Sequence, residues 1–365
     1  MAVTIASNLP QLAFSSALPD VRFSVGTAEA VQVSVMADRE TLFSERLYAS
    51  AGVAILYDLA ELVERHLKAL RMPMIDITVT ATDDAGSSDS ASLSVLYCAS
   101  DMPAGSVEAF TEESFLTTAE YLYMPPGEAV VVPYYAKAMV RHGLDAVVTY
   151  RDAQGQLKTV EGNIVAQHAH SYSAVFYYNV YYEALVDLCR AGEVEVVCAV
   201  LTDGLKRITI GIDPELAEAR CFRFLNCFNC YETVFLLSKT TSKVDLSRSV
   251  AVMGATRDLY DVKDGYSFET ECGGLSLEEA VYLRQLITSP RVMTETDIIC
   301  CNHSPAQRAG AIREILITGA EVNIDSEDEE LKTIKFSWEF DSTRLPAMYR
   351  FDRGVFTDQF TIQFT

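Results

Sequence analysis

Positive charge is scarce in this sequence. The 365 residues include 29 Lys and Arg against 51 Asp and Glu, which gives a formal net charge of -22 at pH 7. A net negative charge of this size repels the phosphate backbone of DNA or RNA. We therefore expect no nucleic acid as a direct partner, and we expect the negative charge to keep free chains soluble.

Long apolar runs are missing as well. No stretch reaches the roughly 18 to 20 apolar residues that a membrane-crossing helix needs, because charged residues such as Glu128 and Lys137 interrupt the longest ones. Residues 1–19 lack the basic start of a secretion signal, and Asn8 and Pro10 interrupt their apolar stretch. We expect a chain without membrane insertion that is cytoplasmic when synthesised.

Motifs that mark enzyme active sites are also absent. The sequence has no G-x-S-x-G nucleophile motif, no phosphate-binding G-x-x-x-x-G-K-[ST] motif, no H-E-x-x-H and no dinucleotide fingerprint. A glycosidase with two catalytic carboxylates remains an open alternative, because the distance between two carboxylates is set by the fold and not by the sequence pattern. The sequence therefore predicts neither an enzyme nor a cofactor, and no catalytic residue is assigned.

The cysteines raise the question of a metal site. Cys227 and Cys230 have the C-x-x-C spacing of two zinc ligands, but no second C-x-x-C follows at zinc-finger distance. His168 and His170 would share one face of a strand, but a metal site needs a third ligand, for which His142 and Glu161 are the candidates in the sequence. We interpret most of the cysteines as buried reduced thiols and predict no metal. The other cysteines are Cys98, Cys189, Cys198, Cys221, Cys272, Cys300 and Cys301. His303 is the first histidine after the C-x-x-C pair.

The strongest pattern that is present is that of β-strands. Residues 21–25 and 31–35 alternate apolar and polar side chains, which is typical of a sheet with one buried face. Helical spacing occurs at 56–70, at 181–190 and at 276–288, where Ser276 and Glu279 have capping-box spacing.

These patterns predict a mainly β, multidomain fold of β-sandwich-like units, each with one short helix. We place the units at 1–103, 104–214 and 215–365. The first boundary lies in a Pro- and Gly-containing stretch near residues 101–106.

Aromatic side chains are concentrated in the middle unit. One group lies within residues 172–182, and a second consists of Tyr121, Tyr123, Tyr134 and Tyr135. Strand alternation sends Tyr177 to the face opposite Phe176 and Tyr178, so we expect at least one of these rings to leave the core. Ordinary sheet surface and an interface both remain open. The candidate interface residues from this region are Tyr172, Tyr177, Tyr178 and Tyr181.

The last residues of the sequence form a second candidate interface. Phe356, Phe360 and Phe364 lie on one face of an alternating segment. This segment is either the final strand of its own domain or a strand that pairs with a neighbouring subunit.

Several segments resemble a known group of proteins. Residues 20–35, the run Leu42-Phe43-Ser44-Glu45-Arg46-Leu47-Tyr48, the helix at 58–67 and residues 223–233 are similar to uncharacterised structural proteins, tail- or virion-associated, of Bacteroidetes prophages and phages. The resemblance implies a structural role in a virion or phage-tail-like particle. It implies partners that are copies of the chain and other proteins of the same assembly.

Two other functions remain as alternatives. The first is a glycan-binding β-sandwich adhesin that uses Tyr177, Tyr178 or Tyr181 as a stacking platform, with a glycan as the partner. The second is a metal-dependent hydrolase built on the histidine pair or the cysteines.

Overall fold

The computed structural model describes residues 3–99, 106–137, 143–164, 167–172, 174–190, 194–253, 256–295, 312–323 and 331–341. Within these residues the protein is mainly β, with several sheets and four α-helices. The predicted fold class of β-sandwich-like units is confirmed. None of the helices in these ranges has the length and apolar character needed to span a bilayer.

The N-terminal part is a sandwich of two sheets closed by one helix. Its elements are β1 (Thr4–Ile5), β2 (Leu12–Phe14), β3 (Val21–Ser24), β4 (Ala30–Ala37), β5 (Glu40–Tyr48), β6 (Val53–Leu56), α1 (Leu59–Leu70), β7 (Met74–Thr82) and β8 (Ser88–Leu96). The sheets have the orders β1-β3-β6 and β2-β8-β7-β4-β5. Alternate residues of β4 and β7, together with Val63 and Leu67 of α1, fill one apolar core between them.

The middle part is a second sandwich. Its elements are α2 (Val107–Glu113), β9 (Tyr121–Met124), β10 (Ala129–Tyr135), β11 (Leu144–Arg151), β12 (Leu157–Ile164), β13 (Gln167–Tyr172), β14 (Val175–Tyr181), α3 (Tyr182–Cys189), β15 (Glu195–Asp203) and β16 (Lys206–Ile212). A five-stranded sheet, β12-β11-β15-β16-β9, faces the three-stranded sheet β10-β14-β13 across a shared core. Strand β9 runs parallel to β16 and forms one edge of the larger sheet.

The C-terminal part is one large sheet with a helix packed on it. Its elements are β17 (Arg220–Leu225), β18 (Tyr231–Leu236), β19 (Lys239–Met253), β20 (Thr256–Leu275), α4 (Leu277–Thr288), β21 (Val292–Glu295), β22 (Ile312–Asn323) and β23 (Lys332–Phe340). The strand order is β18-β17-β21-β22-β23-β20-β19. The predicted capping box at the start of α4 is present, with Ser276 accepting from the Glu279 backbone and Glu279 accepting from that of Ser276.

A fourth apolar core joins the three parts. It is formed by Leu12, Phe14, Met74, Leu96, Cys98, Val107, Leu116, Val175, Tyr177, Phe228 and Cys230. We call it the junction core. Phe228 belongs to the turn between β17 and β18, and its ring packs 5.6 Å from that of Phe110 and 6.1 Å from that of Phe14. One turn of the C-terminal sheet is therefore inserted between the other two parts.

Polar contacts reinforce the same junction. The side-chain amide of Asn229 donates to the carbonyl oxygens of Leu67 and Met72 at 3.3 and 3.2 Å, at the end of α1. Leu67 lies in the last turn of α1, and Met72 follows the helix. The Arg71 guanidinium forms an ion pair with Glu314 at 3.0 Å. Helix α1 is therefore tied to the C-terminal sheet at its last turn.

Candidate interaction surfaces

Two of the four tyrosines predicted to form an interface, Tyr177 and Tyr178, lie inside the protein. Phe176, Tyr177 and Tyr178 are only 4%, 5% and 0% exposed. The expectation that at least one of these rings leaves the core is wrong. Strand β14 is the central strand of its sheet and both of its faces are covered: Phe176 and Tyr178 enter the middle core, and Tyr177 enters the junction core.

The buried tyrosines therefore have a packing role. The ring of Tyr178 is stacked on that of Tyr134, with centroids 4.2 Å apart, and its hydroxyl donates to the carboxylate of Asp203 at 3.3 Å. Burial, together with these neighbours, raises the pKa of Tyr178 well above its usual value. Tyr177 and Tyr178 are consequently not available as the stacking platform of the glycan-binding alternative.

The remaining predicted interface residues have different outcomes. Tyr181, at the end of β14, is 41% exposed and stays a candidate. Tyr172 lies in β13, but its side chain is outside the described part of the structure. Phe356, Phe360 and Phe364 lie outside the described residues, so the prediction for this segment stays a prediction.

The C-x-x-C pair lies in the turn between β17 and β18. Cys230 is buried, Cys227 is partly buried, and neither is in a disulfide. Burial raises the pKa of the Cys230 thiol well above its usual value. Among the described residues, no group of three or more His, Cys, Asp or Glu is placed to hold a metal ion. The side chains of His168 and His170 are not described, and Cys300, Cys301 and His303 lie outside the described residues.

The same turn is built around Asn226. Its side-chain oxygen Oδ1 accepts from the backbone N–H groups of Phe228 and Cys230 at 2.9 and 3.0 Å. Its amide donates to the carbonyl oxygen of Leu116 at 2.7 Å and to the carboxyl of Glu232 at 2.5 Å. The residue is 3% exposed, so these bonds take the place of water. Sequence reasoning missed this role, although Asn is a common turn residue because its side chain can bond the backbone two residues further on, as it does here with Phe228.

Glu232 is a buried carboxyl at the centre of this network. It is 1% exposed and accepts from the Asn226 amide and the Tyr282 hydroxyl, both at 2.5 Å. Burial raises the pKa of Glu232, although hydrogen bonds from Tyr282, Thr117 and Asn226 oppose the shift. The pKa of the Tyr282 hydroxyl is also raised, by burial and by Glu232.

This raised pKa predicts a pH dependence of stability. The folded protein binds the Glu232 proton more tightly than the unfolded chain does, so the stabilising contribution is full below the usual value of 4.5. This stabilising contribution is lost as the pH rises through the higher pKa that Glu232 has in the folded protein. We expect Glu232→Gln, which cannot ionise, to gain stability relative to the wild type as the pH increases from 4.5 to 8.

Urea unfolding at several pH values, followed by circular dichroism, measures this difference. Glu161→Gln is the matched control, because Glu161 is an exposed residue of β12. Its stability should keep a constant offset from the wild type. Parallel pH profiles for Glu232→Gln and the wild type would contradict the assignment.

The sheet edge formed by β19 extends into a long hairpin. Strands β19 and β20 pair from Lys239↔Glu271 to Met253↔Thr256, whereas β20 pairs with β23 only from Ser267 to Leu275. Beyond the pair Lys243↔Ser267 the hairpin continues for roughly ten residue pairs, which is about 30 Å at the usual rise per residue. We call residues 244–266 the hairpin arm. Among the described residues, no third strand pairs with it.

Comparison with known proteins does not place the chain in a group. A scan of protein-family models finds no match, and a search of curated proteins finds none.

Proposed function

We propose that this chain is a non-enzymatic structural protein, a component of a phage or prophage tail or virion. It acts by packing against copies of itself and other proteins of the same assembly. The hairpin arm is the observation that supports this proposal most directly.

A projecting hairpin needs a partner. A two-stranded hairpin alone is at best marginally stable in water, because it buries little apolar surface. An edge strand also presents unpaired backbone N–H and C=O groups that another chain can join. Among the described strands, β19 is the edge of its sheet and belongs to the arm, so the arm offers backbone groups for pairing with a second chain.

The charge of the hairpin is compatible with docking on an acidic neighbour. Residues 239–275 contain five basic and six acidic residues, so they carry only one of the 22 net negative charges of the chain. Long-range repulsion between two acidic copies is weakest where one of them approaches with a nearly neutral segment. The negative charge elsewhere keeps unassembled chains soluble.

Shortening the hairpin tests the proposal. Residues 244–266 are replaced by Asn-Gly, which joins the paired residues Lys243 and Ser267 by a two-residue turn. We expect the wild type to form oligomers that appear as rings or tubes by electron microscopy. By light scattering we expect the shortened variant to have the mass of a monomer, which lies below the 40.3 kDa of the intact chain. The thermal transition should change little, because the shortened variant keeps every described residue of the C-terminal core and of the junction core.

A second hairpin provides the control. Leu205, at the turn between β15 and β16, is 73% exposed, and Leu205→Ser should leave assembly unchanged. A wild type that stays monomeric at every concentration, or a shortened variant that assembles as well as the wild type, would refute the proposal.

A further inference from the structure

Two exposed tyrosines stand side by side on the outer face of the middle sandwich. Tyr121 and Tyr123 are 61% and 47% exposed, and both lie on β9 at the edge of the five-stranded sheet. Because they are two residues apart on one strand, their side chains point to the same face, roughly 7 Å apart. Their neighbours in the sequence, Leu122 and Met124, point into the core instead.

Tyr123 is held flat by a glycine. In the parallel pair of β9 and β16, Tyr123 lies opposite Gly211. A Cβ atom at Gly211 would lie 2.7 Å from Cδ1 and 2.8 Å from Cε1 of Tyr123, which is closer than real Cβ contacts come. The tyrosine ring therefore lies over Gly211, in space that a Cβ atom would occupy, and about half of the residue remains exposed to solvent. Any side chain at position 211 would displace it.

A polar cleft opens beside this pair. Its volume is about 560 Å³, and its lining includes Tyr121 itself. The other side chains that matter for recognition are hydroxyls and charged groups from the segment before β9 and from β16: Thr118, Glu120, Arg207 and Thr209. One of them is already oriented, because the Gln285 amide donates to the hydroxyl of Thr118 at 2.5 Å.

We propose that this face binds a neutral saccharide chain. Sugar rings have apolar C–H faces that stack on tyrosine, and their hydroxyls pair with side chains that both donate and accept. The aromatic pair provides the stacking surface, and the cleft provides the hydroxyl partners. Small-molecule sites are typically concave, with a few polar groups that fix the orientation of the ligand.

The chemistry of the lining selects this ligand class. The centre of a protein interface is depleted of charged side chains, whereas this cleft contains Glu113, Glu120 and Arg207. Acidic saccharides and nucleic acids are disfavoured by the net charge of -22. The inference goes beyond the proposed assembly role and uses a different surface, so either can fail without the other.

Ligand-observed NMR with defined oligosaccharides tests the site. The probes are cellohexaose, mannohexaose and chitohexaose as neutral chains, and a hyaluronan hexasaccharide as an acidic one. We expect at least one neutral probe to bind the full chain. Both Tyr121→Ala and Tyr123→Ala should weaken its binding by about tenfold, while Tyr123→Phe, which keeps the ring, should retain it.

Gly211→Val and Tyr181→Ala complete the design. Gly211→Val keeps both tyrosines in the sequence but should still weaken binding, because the new side chain displaces the Tyr123 ring. Tyr181→Ala removes an exposed tyrosine of the other sheet and should change nothing. Circular dichroism of each variant checks that it is folded. The proposal is overturned if no neutral probe binds, if only the acidic probe binds, or if Tyr121→Ala and Tyr123→Ala alter self-association but no sugar binding.

Discussion

Trp338→Ala is expected to lower the free energy of unfolding by about 3–5 kcal/mol, the usual cost of truncating a buried tryptophan to alanine. Trp338 is fully buried in the C-terminal core. Its ring is stacked on Phe268 with centroids 4.1 Å apart and packs edge-on against Phe222 and Phe340. The alanine variant leaves a cavity between these rings, at the point where β23 meets β20.

Trp338→Phe separates the loss of packing from the loss of a hydrogen bond. The indole Nε1 donates to the Thr270 hydroxyl at 2.9 Å, and that hydroxyl also lies 3.1 Å from the hydroxyl of Thr240. The Thr270 hydroxyl therefore keeps a partner in the phenylalanine variant, which should lose only about 1 kcal/mol for the bond, plus a smaller packing term. Urea unfolding by circular dichroism measures all three proteins, since both variants lack the only tryptophan. Equal stability of the two variants would show that this ring is not a packing centre.

Asn226→Ala is expected to cost about 3 kcal/mol or more, because it removes four buried hydrogen bonds and leaves backbone groups without partners. The groups affected are the N–H of Phe228, the N–H of Cys230 and the carbonyl of Leu116. Glu232 also loses one of its donors. Since Phe228 fills the junction core, loosening the turn should disturb the contacts of all three parts of the chain.

Asn163→Ala is the matched control for this effect. Asn163 is exposed on β12 and makes a 3.4 Å contact with Asp145, so its loss should change stability by less than about 0.5 kcal/mol. Thermal melting of both variants provides the comparison. Similar melting temperatures for Asn226→Ala and Asn163→Ala would mean that the turn tolerates the loss of its central side chain.

Local patterns in the sequence predicted the elements well. Alternation at 21–25 and 31–35 corresponds to β3 and β4, since one face of each strand is buried. The helical spacing at 56–70 corresponds to α1, which begins later because Leu56 ends β6 and Asp58 has a left-handed backbone with φ of 57°. The short helix α2 was not predicted, although Ser106 caps it by accepting from the Ala109 backbone.

Long-range features could not be predicted from the same patterns. Alternation assigns Tyr177 and Tyr178 to opposite faces of β14, but it does not say that a second core covers the other face. The hairpin arm has a signal of its own, since no proline occurs between Pro214 and Pro290 and Gly254 lies near the middle of that stretch. The platform on Gly211 depends on the pairing of β9 with β16, which are distant in sequence.

The junction core has a consequence for how this chain can be divided. A fragment ending at residue 99 would carry Leu12, Phe14, Met74 and Leu96 on a bare, water-exposed patch, because their covering groups come from the rest of the chain. Exposed apolar patches of this kind make truncated proteins prone to aggregation. Such fragments would aggregate through a surface that is buried in the intact protein. Their aggregates could be mistaken for the self-assembly of the full chain.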